Sequence, residues 1–64
     1  MLGKKIKALR KNKGYTLRAL AEKCDINFRT IKAIEDGKSQ NPGIYTIKRI
    51  ADVFNVSLDY LVNE

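Results

Sequence analysis

Arg29 and Lys32 stand three residues apart in the segment NFRTIKAIEDG, a spacing that puts both cations on one side of a helix, with Phe28 and Ala33 flanking them. Their chemistry is the recognition of acceptors. A guanidinium or an ammonium suits the O6 and N7 atoms of guanine, and a good bidentate pair contributes about 1–3 kcal/mol of discrimination. Either cation can instead hold a phosphate. Phe28 has two readings: it folds back to lengthen an apolar core, or it meets a thymine methyl group, the apolar feature of the major groove. We favour the groove. Asn27, directly before this set, suits capping the helix, which commits its side chain and leaves it a phosphate rather than a base to touch.

Covalent chemistry has no comparable support. The chain has no histidine, which removes the commonest acid-base catalyst and metal ligand, so neither a metalloenzyme nor a cofactor or small-molecule ligand is expected. Tyr15, Tyr45 and Tyr60 lack a histidine or a cluster of arginines to activate a phenol and suit core or interface use. The single cysteine, Cys24, cannot close an internal disulfide and reads as a small apolar filler, a redox switch being the minor alternative.

The charge is uneven. Residues 1 to 38 hold eleven Lys/Arg against four acids, a surplus of seven, whereas residues 39 to 64 hold two against three. Such asymmetry implies a polyanionic partner, although composition alone does not separate nucleic acid from an anionic membrane surface, and charge runs also serve merely to solvate a helix. No run of eighteen apolar residues and no signal peptide is present, so a soluble, cytoplasmic protein without a membrane span is expected. Sixty-four residues suit one domain, 1–64, which buries only about 60% of its unfolded surface and needs an efficient core.

Five helices follow from periodicity and punctuation. The first, near 2 to 13, puts Leu2, Ile6 and Leu9 on one face and ends at Gly14. Thr16, Asn27 and Ser57 have the side chains of N-caps for helices 2, 3 and 5, and the pairs Tyr15/Leu20, Ile26/Ile31 and Val56/Leu61 have the spacing of hydrophobic staples. Pro42, in the polar loop after Gly37, separates helix 3 from helix 4, which runs near 44 to 54 with Ile47, Ile50, Ala51 and Phe54 inward and ends at a left-handed Asn55.

Within residues 17 to 37, Leu20, Ala21, Cys24, Ile26, Ile31 and Ile34 fall on inward faces, with small Ala21 where two helices cross. This is the pattern of a helix-turn-helix, in which helix 2 lies across the phosphate backbone and helix 3 offers its N-terminal half to the major groove. An ordinary αα-hairpin explains the apolar spacing equally well. It does not explain cations on the outward face of helix 3.

KKIKALRKNKG in helix 1, T-x-x-x-LA in helix 2, I-N-x-x-T-I-x-x-IE-x-GK across helix 3, NP in the loop and IAD-x-F-x-VSLDYL at the end resemble the phage repressor and Cro-type, or Xre-type, helix-turn-helix family over essentially the whole chain. The resemblance implies an all-α, compact five-helix lambda-repressor-like domain that acts as a dimer on a two-fold symmetric operator. It also implies an inward ion pair between Arg10 and Glu35, although the residues alone leave a plain surface placement of both open. Three positions depart from the family pattern. Leu17 replaces a frequent Gln that would hold a phosphate. The backbone N–H at Leu17 still points outward at the helix start, and Arg18 takes over the role of the missing amide. Asp25 replaces the corner Gly, at a cost on the order of 1 kcal/mol for a left-handed residue. Phe28 stands where a polar base reader is common.

The expected function is therefore a DNA-binding transcriptional regulator, a repressor working as a homodimer on a double-stranded operator. Phe28, Arg29, Lys32 and Ala33 are the base-reading set. Leu17, Arg18, Asn27, Lys38, Asn41, Gly43 and Tyr45 are the phosphate contacts. Val53, Val56, Leu58, Tyr60 and Val62 are candidates for an apolar dimer patch. The alternative is a protein-interaction module of the same fold, an antitoxin or anti-repressor component. A nuclease or recombinase ranks far behind, for want of acid pairs and an activated nucleophile.

Overall fold

The computed structural model describes residues 2–38 and 42–62, and these form five helices: α1 (Leu2–Asn12), α2 (Leu17–Cys24), α3 (Phe28–Glu35), α4 (Ile44–Phe54) and α5 (Leu58–Val62). Their ends are written in local chemistry. Gly14, at φ +75°, closes α1 and lets the Tyr15 amide return to the Arg10 carbonyl at 3.0 Å. The helix ends one residue before the expected Lys13, whose amide still reaches the Leu9 carbonyl at 3.1 Å.

Each predicted cap makes its bond. The Thr16 hydroxyl accepts from the Ala19 amide at 3.0 Å, Asn27 Oδ1 accepts from the Arg29 amide at 2.9 Å, and the Ser57 hydroxyl accepts from the Tyr60 amide at 3.0 Å. Asp25 takes the left-handed conformation at the α2–α3 corner, with φ 57° and ψ 45°, and Asn55 does the same after α4, with φ 55° and ψ 43°. The Asp25 turn returns the Ile26 amide to the Ala21 carbonyl at 3.0 Å and so sets the angle at which α3 leaves.

The core gathers Ile6 from α1, Leu20, Ala21 and Cys24 from α2, Ile31 and Ile34 from α3, four residues of α4 and Leu61 from α5. Ile6, Leu20, Ile31 and Ile50 have no exposed surface at all. Burying a side chain of that size contributes roughly 1.5–3 kcal/mol, which is why a chain this short holds five helices together. Ala21 is 6% exposed where α2 meets α3, and the lack of a larger side chain there lets the two helices close. Tyr15, a predicted staple partner of Leu20, lays its ring parallel to that of Phe54, with centroids 6.3 Å apart, and so also ties the start of α2 to the end of α4.

Gly3 has a role that periodicity does not reveal. A Cβ built on it would collide with the Ile34 carbonyl oxygen and lie 2.9 Å from that of Glu35, so α1 crosses the end of α3 at backbone contact. That crossing places Arg10 beside Glu35. Arg10 Nε donates to Glu35 Oε2 at 2.8 Å, Nη2 donates to Oε1 at 3.1 Å, and Nη1 donates to the Tyr15 carbonyl at 2.9 Å.

Candidate nucleic-acid interface

α3 has two faces of opposite character. Ile31 and Ile34 are buried, while Arg29 and Lys32 are exposed and make no contribution to the core. Phe28 and Ala33, expected to face outward, are half-buried, and Phe28 packs partly against the core while part of its ring stays exposed. Over the Phe28 ring lies the Arg18 guanidinium, its Cζ 4.5 Å from the ring centroid.

Two open clefts meet along this helix. The first, where α2 turns into α3, is lined by Arg18, Glu22, Asp25, Asn27, Phe28 and Arg29, together with Ala21 and Ile26. The second runs along the outer side of α3 between Arg29, Lys32, Ala33, Asp36 and Lys38. Arg29 lines both, which makes it the centre of the surface. Lys32 lies 3.5 Å from Asp36, one turn on, and both side chains are well exposed. A solvent-screened pair of this kind contributes about 0–1 kcal/mol, so Lys32 is readily released to another anion.

The remaining predicted contacts distribute unevenly. Leu17 turns its side chain toward the core and is half-buried, so only its amide is available at the open start of α2, ahead of the Ala19 amide that Thr16 satisfies. Gly43 caps α4 without a side-chain bond, and Tyr45 beside it is 80% exposed, but neither lines the two clefts. Asn41 lies outside the described residues. Of the candidate dimer residues, Val53, Val56 and Leu58 pack against the core, whereas Tyr60 and Val62 are each 50% exposed. Ile44, which was not among the candidates, is 58% exposed at the start of α4.

Sequence reasoning also missed Arg49. From α4 its Nη1 donates to the Asp25 carbonyl at 3.2 Å, bracing the left-handed corner from outside. Nothing local marks it, since the partner is a backbone oxygen 24 residues away. Cys24, beneath the same corner, is 3% exposed, and burial pushes its thiol pKa from 9.0 up to about 11. Among the described residues no helix is long and apolar enough to cross a membrane.

A family profile described as Helix-turn-helix matches residues 6–61. The chain belongs to this helix-turn-helix family. Among curated helix-turn-helix proteins, it is 39% identical to the transcriptional regulator SinR of Bacillus licheniformis across all 64 residues, or 58% of that protein. It is 33% identical over 63 residues to the transcriptional regulator ImmR of Bacillus subtilis (strain 168), covering 98% of this chain and 49% of that protein. The chain thus spans about half the length of the curated relatives it matches. Among solved helix-turn-helix structures, SinR in complex with DNA matches with TM-score 0.93 and 36% identity, covering 98% of this chain and 100% of that one. A SinR–SinI complex matches with TM-score 0.95 and 38% identity, covering 100% of this chain and 62% of that one.

Proposed function

We propose that this protein is a sequence-specific, double-stranded DNA-binding regulator of transcription, which inserts the N-terminal half of α3 into the major groove and acts in the cytoplasm as a repressor. The observation that carries this reading is the outer face of α3, where Arg29 and Lys32 are exposed beside two open clefts and take no part in holding the fold together. The same fold is found in SinR bound to DNA, which supports the assignment. In this reading Arg29 takes guanine through O6 and N7, Lys32 reads a neighbouring base edge after leaving Asp36, and the small side chain of Ala33 permits close approach. Phosphates are held by the amide of Leu17 and by Arg18, Asn27, Lys38, Asn41, Gly43 and Tyr45.

We infer that two copies act together on a two-fold symmetric site, with recognition helices about 34 Å apart. Exposure of Tyr60 and Val62 on α5 supports a self-association surface. The reading of the fold as a protein-interaction module, with its basic face meeting an acidic partner, draws support from the exposed Ile44 and Tyr45 and from the relative solved with SinI. Selection from a random pool of duplexes separates the two. Enrichment of one symmetric sequence supports the regulator, and failure to enrich any duplex at low salt sinks it.

A further inference from the structure

We propose that Arg18 and Phe28 form a single reading unit for a thymine methyl group, with Phe28 as the contacting side chain and Arg18 as its positioning residue. The inference rests on the reading of α3 as the groove-entering helix and adds to it a base identity and a second residue.

Three observations bring the two side chains together. Arg18 stacks over the Phe28 ring with Cζ 4.5 Å from the centroid. Both line the cleft at the α2–α3 corner with Asn27 and Arg29. Phe28 is half-buried and packs partly against the core, so the core supports one part of the ring and Arg18 covers another. An aromatic ring on the first residue of a helix otherwise has few neighbours to choose its rotamer. Sandwiched in this way, its remaining exposed part has one orientation.

The chemistry of each group then limits the ligand. Phe28 has no donor or acceptor, and the apolar feature that a base edge offers in the major groove is the C5-methyl group of thymine. Arg18 is exposed, and a guanidinium that stacks through its flat face keeps its in-plane N–H groups free for a phosphate. One side chain therefore holds the backbone and orients the reader at the same time. Lysine carries the same charge and can sit over a ring, as Lys5 and Lys23 do over Tyr60 and Tyr15, but it has no planar face to lie flat on Phe28 and fix the ring's orientation, so it keeps the phosphate contact and loses the stack.

The test uses the 64-residue protein and the duplex it selects from a random pool, with each thymine replaced in turn by deoxyuridine, which removes only the methyl group. At one thymine per half-site the native protein is expected to bind about fourfold more weakly, the effect of returning one buried methyl group to water. Arg18→Lys is expected to keep the salt dependence of binding while its thymine-to-deoxyuridine ratio falls close to one, and Phe28→Ala is expected to lose the ratio as well. The proposal is overturned if no thymine position responds, or if Arg18→Lys retains the full fourfold ratio. A pool that yields no enriched duplex overturns the groove-reading assignment together with it, whereas an enriched duplex without a methyl effect overturns the Arg18–Phe28 unit alone. Arg18 is exposed, so its Lys variant folds even if loss of the Phe28 ring disturbs the corner.

Discussion

Arg10 and Glu35, 25 residues apart in sequence, form a two-pronged ion pair whose side chains are only 12% and 4% exposed. It joins the last turn of α1 to the last residue of α3, and neither residue lines the clefts. Removing one partner strands the other charge out of water. Glu35→Ala is expected to destabilise the fold by about 3–5 kcal/mol, whereas a double replacement by apolar residues of similar volume costs much less. Urea unfolding of both variants at pH 7 checks this, and equal losses in the two would contradict it.

Arg29→Ala is expected to reduce binding to the selected duplex by about 1–3 kcal/mol and to relax preference at one position per half-site. Lys32→Ala should weaken binding as well. For native protein, the log of the binding constant should fall against log salt by about 0.9 for each phosphate neutralised. Both variants should unfold at the native temperature, because neither side chain supports the core. Titrations at several salt concentrations, with circular dichroism as the control, make the comparison. A flat salt response is incompatible with phosphate-driven binding.

Gly3→Ala opposes two effects of different size. Alanine favours a helix interior over glycine by about 1 kcal/mol. Its Cβ, however, would run into the Ile34 carbonyl oxygen, backbone against backbone, so α1 must lift from α3. Overpacking of this kind costs about 1–3 kcal/mol, and the closeness of the collision places it at the upper end. A lowered melting temperature is expected, and a raised one would mean that α1 does not cross there.

At the corner, stability should fall in the order Gly, Asp, Ala at position 25. Glycine removes the left-handed penalty, on the order of 1 kcal/mol, and gives part of it back through greater freedom in the unfolded chain. Asp25→Gly is therefore expected to gain about 0.5 kcal/mol and Asp25→Ala to lose about 1 kcal/mol. Denaturant midpoints of the three proteins decide the order.

Cys24 gives the fold a specific alkaline sensitivity. Its folded pKa, about 11, lies above the ordinary value of 9.0, so the native state keeps a proton that the unfolded state releases. That part of the stability is intact below pH 9 and is lost as pH rises from about 9 to 11, up to roughly 2–3 kcal/mol. Lysines and tyrosines titrate in the same range, so the measured quantity is the difference between native protein and Cys24→Ala. The native advantage should shrink from pH 8.5 to pH 10.5, and a thiol reagent at pH 8 should label only unfolded chains.

Short-range chemistry was legible in the sequence, and contacts across the fold were not. Thr16, Asn27 and Ser57 announce their helices because a cap and the amide it satisfies lie two or three residues apart. Asn55 announces a left-handed turn because few other residues tolerate one, and the left-handed Asp25 follows from its place at the family's corner glycine. The outward cations of α3 follow from helical period. The Arg10–Glu35 pair, in contrast, came from family resemblance, since spacing across 25 residues carries no information about which helices touch. Gly3 at the α1–α3 crossing, Arg49 against the Asp25 carbonyl and Arg18 over Phe28 all depend on how separate helices are set against one another. Phe28 defeated a two-way choice because a large ring at a helix start can be half in and half out.

The division of α3 between Ile31 and Ile34 on one side and Arg29 and Lys32 on the other has an evolutionary corollary. On the reading proposed for α3, target preference can drift by exchange of exposed side chains while the scaffold stays intact, so duplicated copies can diverge to new sites through a handful of steps that leave the fold unharmed. Position 28 is the exception, because a change there is felt by both the cargo and the chassis.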